Sequence, residues 1–448
     1  MQRIRDRLST VGPGSTSALV DRIRQMARPL EGSGDLDGLM ERIGDAHYVL
    51  LGEASHGTHE YYTWRAEISK RLIVEKGFRF IGVEGDWPDC YRVNRYVKGW
   101  PDSGSSAYEV LNAYERWPTW MWANREVVEL AEWLRQYNDG RPEEEKVGFY
   151  GLDVYSLWDS LDAVTKYLEQ VDPEAAQAAQ RAYRCFEPYI GDEQQYAWST
   201  ALVPQSCEDE AVSLLRELCN KASAYREDDP EAFFNAEQNA LIARNAELYY
   251  RTMIRGDSAS WNVRDHHMTD TLDRLMQHHG PDAKGVVWEH NTHIGDARAT
   301  DMASSGMVNV GQLVRERHGV EDTVIVGFGS HRGSVIAANR WGGQMERMPV
   351  PAAREGTHED ALHTAGEEDK LLVFADAGGD LGPFLDPRGH RAIGVVYDPN
   401  RERYGNYVPT VLPLRYDAFL YIDETRALQP LHLEPPAGHE LETFPTGV

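Results

Sequence analysis

Lysine and cysteine are scarce in this sequence, and it has no long apolar run. Of 46 lysine and arginine residues only 8 are lysine, whereas aspartate and glutamate number 72, so the formal net charge is −26. Nucleic acids and anionic membranes are bound through basic patches, so this charge argues against both as partners. A bilayer-spanning helix needs about 20 apolar residues in succession, and no stretch of the chain provides them.

The four cysteines lack the spacing of a cysteine-based metal site. They are Cys90, Cys185, Cys207 and Cys219, with no CxxC pair among them. We predict that they are buried or half-buried thiols in a reducing compartment. No apolar segment follows the charged residues near the N-terminus, so no signal peptide is predicted. We therefore expect a cytoplasmic protein, and a monomer.

Three common motifs are also missing. The sequence has no GxSxG, so the nucleophile turn of the common α/β-hydrolases is not expected. It has neither GxGxxG nor a Walker A pattern, so nucleotide binding of the usual kinds is not supported. These absences leave a site without an obvious nucleophile, which favours direct attack by an activated water molecule.

The apolar runs that are present predict an α/β fold. Strands are predicted at 47–52, 79–84, 146–152, 285–289, 323–328, 371–375, 391–397 and 415–422. Most of these runs are short and continuous, as is typical of strands covered on both faces. Because helical patterns lie between them, we predict a mainly parallel central sheet flanked by helices.

Two helical regions carry most of the remaining pattern. Apolar residues recur at helical spacing from Tyr61 to Leu72, and this predicts a helix with Thr58 as its N-cap and Gly77 as its stop. Residues 156–280 carry almost no strand pattern and are rich in helix-forming residues. We predict that they form a helical insertion or lid subdomain, and that 1–155 and 281–448 form the α/β core.

Polar residues follow the ends of several predicted strands. The carboxyl ends of parallel strands share one edge of a sheet, where ligands bind in open α/β folds. The residues expected there are Glu53, His56, Glu84, Asp153, His290 and His293. A carboxylate beside an imidazole is the minimum set for drawing a proton from water. The alternative for each motif is structural, for example a helix start capped by Ser55 or Thr58.

Further candidates for substrate binding come from three segments. The aromatic stretch 116–122, with Trp120, and Trp87 could line an apolar cleft, although such clusters more often pack in a core. His331 and Arg332 follow another apolar run, and Arg332 could hold an anion or a carbonyl oxygen. An ordinary loop arginine is an equally good interpretation of Arg332.

Six motifs, which follow one another along residues 40–430, resemble the erythromycin esterase family. They lie at 51–60, 83–87, 116–122, 150–153, 288–293 and 407–410. The resemblance implies an α/β fold with a helical subdomain and hydrolysis of a carboxylic ester. Members of the family open the macrolactone of erythromycin-type antibiotics, which gives resistance to them. Other members occur in polysaccharide-biosynthesis contexts or have no known substrate.

The resemblance also implies roles for single residues. His56 matches the general base that takes a proton from water, and Glu53 would orient it. Arg65 would stabilise the charge that develops on the carbonyl oxygen. Glu84, His290 and His293 match the other polar positions of the pocket, and either histidine could bind the oxyanion or protonate the leaving alkoxide.

No cofactor is required by this scheme, and a small-molecule ester, most plausibly a macrolide, would be the partner. One alternative is a hydrolase that depends on a divalent metal, with Glu53, His56, Glu84, His290 and His293 as candidate ligands. A biosynthetic protein of the same fold that acts on another ester is a second alternative. A non-catalytic binding protein is the third.

Overall fold

The structure, a computed structural model, describes residues 13–189, 196, 199–200, 206–223, 225, 229–253, 258–377 and 380–432. Its strands are β1 Arg28–Pro29, β2 Tyr48–Leu51, β3 Phe80–Val83, β4 Gly148–Gly151, β5 Gly285–Trp288, β6 Thr323–Ala338, β7 Met345–Val350, β8 Lys370–Val373, β9 Arg388–Arg391, β10 Tyr407–Thr410 and β11 Ala418–Thr425. Its helices are α1 Pro13–Met26, α2 Asp37–Ile43, α3 His59–Lys76, α4 Trp87–Lys98, α5 Ala107–Asn112, α6 Arg125–Asn138, α7 Leu157–Val171, α8 Ala176–Phe186, α9 Glu208–Asn220, α10 Pro230–Met253, α11 Ser258–His279, α12 Asn291–Ile294, α13 Val310–His318, α14 His358–Ala365, α15 Glu402–Gly405 and α16 Leu412–Arg415.

A central sheet organises these elements. Its order is β1-β8-β11-β6-β2-β5-β3-β4, and β7 pairs with β6. The strands from β11 to β4 in this order are parallel to their neighbours. The outer strands β8 and β1, and also β7, pair antiparallel. The predicted α/β fold with a mainly parallel sheet is therefore confirmed.

Helix α3 follows β2 as the apolar spacing predicts. It begins directly after Thr58, whose backbone is extended but whose side chain makes no capping hydrogen bond. It ends before Gly77, which has a φ of 73° in the left-handed region that glycine adopts without strain. The buried positions Tyr61, Ile68 and Leu72 face the sheet core, so the helix is held by this apolar face.

The structure differs from two of the predicted strands. β6 continues ten residues beyond the predicted end at 328, through a polar stretch, and then pairs with β7. The predicted strand 391–397 is wrong, since only Arg391 belongs to a strand. The next residues bond to two separate segments: Ile393 N–H donates to Ala54 O at 2.8 Å, and Tyr397 N–H donates to Ala338 O at 2.8 Å. This segment is buried between them without forming a ladder.

Within 156–280 the described residues form helices and no strand. Helices α7 to α10 share their own apolar core, with Leu161, Leu214 and Tyr249 among its fully buried members. Phe234 and Ile242 of α10 also reach the core on the sheet, and the last helix, α11, packs mainly there. Met268 and Leu272 of α11 belong to the core on the sheet, together with strand residues such as Leu50 and Val287. In the described part of the chain, no helix is both long and apolar enough to cross a membrane.

Two of the cysteines are not thiols, which corrects the prediction from their spacing. Cys185, in the last turn of α8, is bonded to Cys207, directly before α9, at an S–S distance of 2.06 Å. Cys90 is buried and Cys219 exposed, and neither belongs to this disulfide. Cysteine pairing depends on how helices pack, so the absence of a CxxC pair gave no information about it. The cysteines therefore no longer support a reducing compartment, and the cytoplasmic location stays a prediction.

We expect the disulfide to stabilise the helical core of α7 to α10. It joins residues 22 positions apart, and closing a loop of this size in the unfolded chain is worth about 3 kcal/mol. Reduction, or the double change Cys185→Ser and Cys207→Ser, should lower the urea midpoint of unfolding accordingly. Cys219→Ser is the matched control and should leave the midpoint unchanged. Equal midpoints with and without reductant would contradict the prediction.

Candidate active site

The register of the sheet brings three strand ends together. Leu51 of β2 and Val83 of β3 are both paired with Trp288 of β5. The chain leaves all three strands at this point, so Glu53, Glu84 and the segment after Trp288 meet at one edge. This is the edge that the sequence predicted for the polar residues.

Glu53 connects a histidine to an arginine. Its two oxygens accept hydrogen bonds from His56 Nδ1 at 2.9 Å and from Arg65 Nη2 at 2.7 Å. The Arg65 guanidinium lies over the faces of two aromatic rings, 4.4 Å from the centroid of Tyr62 and 4.7 Å from that of Trp288. Arg65 is fully buried, so its contacts hold Glu53 in place.

Close packing explains the glycines around this pair. A Cβ at Gly52 would lie 2.1 Å from Asn291 Oδ1, and a Cβ at Gly57 would lie 1.9 Å from the carbonyl oxygen of Ile336. The loop that carries Glu53 and His56 is therefore pressed between the segment after β5 and the far end of β6. Side chains at these two positions would displace it.

The carboxylates around His56 favour its charged form. Burial acts to lower the pKa of His56, but the carboxylates of Glu84 and Glu53 outweigh burial and raise this pKa above its usual value. Glu84 remains ionised, because His293, Arg264 and His56 outweigh the effect of burial and hold the pKa of Glu84 well below its usual range. His56 is therefore a stronger base than a histidine in water.

His290 has the opposite character. Burial, with His56 beside it, lowers the pKa of His290 well below its usual value, so the ring is neutral. The backbone N–H of Thr292 donates to His290 Nδ1 at 3.3 Å, which places the ring proton on Nε2. Within the described residues Nε2 makes no hydrogen bond of good distance and angle, and the backbone of Ala54 is close enough to offset part of the fall in this pKa. The two rings lie 4.9 Å apart between centroids, so a base and a neutral donor stand side by side.

Arg264 of α11 is a central residue that the sequence did not reveal. Its Nη2 donates to Glu84 at 2.7 Å and to Asp153 at 2.6 Å, and its Nε donates to Asp153 at 2.9 Å. Nη1 lies 3.0 Å from His293 Nε2. The prediction placed residues 258–279 within the helical insertion and named none of their charged residues as part of the site. The available signal was a charged pair, Arg264 and Asp265, on a helix with buried apolar positions.

Glu289 was also missed. It follows β5 directly and is completely buried. Neither of its carboxyl oxygens has a hydrogen-bond partner among the described residues. Burial, with Glu84 and Asp265 nearby, raises the pKa of Glu289 well above its usual range, which favours the neutral acid. Protonation makes an unpaired carboxyl tolerable in the interior.

The other predicted residues divide into two groups. Asp153 joins the site through Arg264. Trp87 and Trp120 pack in the two sheet cores. His331 stacks on His363 with ring centroids 3.6 Å apart, and Arg332 pairs with Glu424 at the surface. None of these last contacts is with the Glu53 and His56 pair, so substrate binding by these four residues stays a prediction.

The candidate metal ligands do not form a common donor set in this arrangement. Among the residues described, no group of three or more histidine, cysteine, aspartate or glutamate side chains is placed to hold a metal ion. Glu53 is instead paired with Arg65, and Glu84 with Arg264. Each carboxylate already has a cation as its partner.

Comparisons with known proteins agree on one family. The sequence model described as Erythromycin esterase matches residues 73–425. An erythromycin esterase type II of Escherichia coli is 21% identical over 381 residues, which are 80% of this chain and 87% of that protein.

Solved structures show the same fold at low identity. A succinoglycan biosynthesis protein and a Bacillus cereus protein each have a TM-score of 0.74 and 21% identity, over 93% of this chain and 99% of theirs. A mutant of erythromycin esterase EreC in its open conformation has a TM-score of 0.66 and 16% identity, over 88% of this chain and 95% of its own.

The electrostatic coupling in the site is testable without a substrate. The change Glu84→Gln removes the main negative charge that raises the pKa of His56, so we expect this pKa to fall. An NMR titration of the His56 ring measures it, with Glu67→Gln, on the outer face of α3, as the control. An unchanged His56 pKa in a folded Glu84→Gln variant would show that the coupling is absent.

Proposed function

The chain belongs to the erythromycin esterase family, and we propose that it hydrolyses a carboxylic ester with a water molecule activated by His56. The observation that carries this proposal is the buried His56 and Glu53 pair at the carboxyl edge of the sheet. Glu53 accepts the Nδ1 proton of His56, so Nε2 carries the lone pair that takes a proton from water. The raised pKa of His56 makes its neutral ring a stronger proton acceptor than an ordinary histidine.

The reaction follows from these positions. As His56 Nε2 takes a proton, the water oxygen attacks the ester carbonyl and forms a tetrahedral oxyanion. We assign the Nε2–H of His290 to bind that oxyanion, because Nε2 makes no hydrogen bond of good geometry within the described residues, whereas His293 is already bonded at both ring nitrogens. The carbon–oxygen bond then breaks, and the leaving alkoxide takes the proton from His56. Ester and water thus become acid and alcohol without a covalent intermediate.

Arg65 has a different role in this proposal from the one that the sequence suggested. Its guanidinium donates to Glu53 and lies over the rings of Tyr62 and Trp288. We assign it to orient Glu53, which in turn holds the His56 ring. Oxyanion binding, worth about two to three orders of magnitude in rate per donor, falls to His290.

The proposed substrate class is the macrolactone of erythromycin-type antibiotics, and the proposed consequence is resistance to them. Support comes from the family and from the Escherichia coli relative described as an erythromycin esterase. A different ester is the alternative, since one structural neighbour is described as a succinoglycan biosynthesis protein. We further propose that no metal is required. Hydrolysis that continues after treatment with a chelator would support this proposal.

We expect His56→Ala to reduce hydrolysis by about two to four orders of magnitude, the usual contribution of a general base. Incubation with a panel of macrolides and simpler lactones, followed by mass spectrometry, detects the gain of one water molecule. His47→Ala is the matched control, because His47 lies at the opposite, amino-terminal end of β2. Hydrolysis at the wild-type rate in His56→Ala would disprove the mechanism. Binding without any gain of water would favour a non-catalytic protein.

A further inference from the structure

A second carboxylate and imidazole pair lies beside the first. Both Asp265 oxygens contact His293 Nδ1, at 2.9 and 3.1 Å. The two residues are 28 positions apart, on α11 and α12, and both are fully buried. The Glu53 and His56 pair forms within one loop, whereas the Asp265 and His293 pair forms only when α11 packs on the sheet.

The chemistry of the neighbours fixes the tautomer of His293. His293 Nε2 lies 3.0 Å from Arg264 Nη1 and 3.5 Å from Glu84 Oε1. Because an arginine nitrogen always donates, we assign Nε2 of the neutral ring as the acceptor in the shorter of these two contacts. The ring proton is then on Nδ1 and is donated to Asp265. The ring is also stacked on Trp261, with centroids 4.5 Å apart and planes at 7°. Trp261 and Asp265 are four residues apart on α11, so they lie on the same face of the helix.

Asp265 is itself held in position. Its Oδ1 accepts a hydrogen bond from the backbone N–H of Val310 at 3.1 Å, at the first residue of α13. Trp261 Nε1 donates to the carbonyl oxygen of Val308 at 2.7 Å. The segment before α13 therefore fixes both groups of α11 that hold the imidazole.

We propose that Asp265 is a positioning residue of the active site, which acts by holding His293 in the tautomer that accepts from Arg264. With Nε2 as an acceptor, the Arg264 guanidinium stays against Glu84. Glu84 in turn accepts the backbone N–H of His290 at 2.8 Å, and its charge acts on His56. The opposite tautomer would direct an N–H of His293 at an N–H of Arg264 and separate the two.

This inference rests on the proposed hydrolysis for its effect on rate, but its structural part can be tested alone. NMR of protein labelled with ¹⁵N-histidine distinguishes a protonated from an unprotonated ring nitrogen. At pH 7.5 we expect His293, assigned by loss of its signals in His293→Asn, to carry its proton on Nδ1. A proton on Nε2, or on both nitrogens, would overturn the proposal whether or not any ester is cleaved.

Two variants separate positioning from simple stability. Asp265→Leu removes the acceptor, and we expect the His293 tautomer to change and kcat to fall about ten- to a hundredfold, as when orienting partners of other histidines are lost. KM should change little. Asp265→Asn keeps one oxygen that can accept from both His293 Nδ1 and the Val310 backbone N–H. Relative to Asp265→Leu, it should restore the His293 tautomer and part of kcat.

The matched control is Asp273→Asn. Asp273 also holds a histidine, since it lies 2.7 Å from His318 Nε2, and it lies eight residues further along α11. We expect Asp273→Asn to lose about as much stability as the Asp265 variants, while the His293 signals and kcat stay unchanged. Unchanged His293 signals in Asp265→Leu, or equal loss of kcat in both positions, would overturn the positioning role. If Asp265→Leu does not fold, the wild-type tautomer and Asp265→Asn still decide it.

Discussion

The arrangement at the sheet edge depends on one buried cation. Two carboxylates, Glu84 and Asp153, emerge from adjacent strands into the interior, and Arg264 binds both. Removing one partner of a buried ion pair costs about 3 to 5 kcal/mol, because an uncompensated charge remains. The planar guanidinium offers five donors in a fixed fork, so it reaches several acceptors at once where a lysine could not. The helix that carries Arg264 is thus fixed to the sheet by charge as well as by apolar packing.

His56 and His290 show how neighbouring groups give two identical side chains different pKa values. Both His56 and His290 are buried, and burial alone would make both neutral. His56 lies beside ionised carboxylates, whereas His290 lies beside His56 itself. One pKa is therefore raised and the other lowered. A pair whose environments separate their pKa values in this way can supply a base and a neutral donor in one site.

The sequence predicts the parts of the site that have a local signal. Glu53, Glu84 and His290 follow short apolar runs, and the parallel sheet brings such positions to one edge whatever the connections between them. Arg264 and Asp265 do not follow a strand, and a charged pair on an apolar helix is a much weaker signal, since their importance arises from the packing of α11 on the sheet. The course of 391–397 was missed for a related reason: its buried apolar residues contact two separate segments, which periodicity does not distinguish from strand pairing.

The position of α11 at the end of the helical segment has a consequence for sequence divergence. Successive residues of a helix are about 100° apart around its axis, so a single insertion within α11 before Arg264 would turn its charged groups away from the sheet. The buried apolar residues of α7 to α9 pack in a separate core, so these helices are not subject to that rotational constraint, whereas Phe234 and Ile242 of α10 pack in the core on the sheet. The length and composition of α7 to α9 can change while the charged edge of the sheet is preserved. Variation among related chains should therefore accumulate in α7 to α9, and the rotational phase of α11 should be retained.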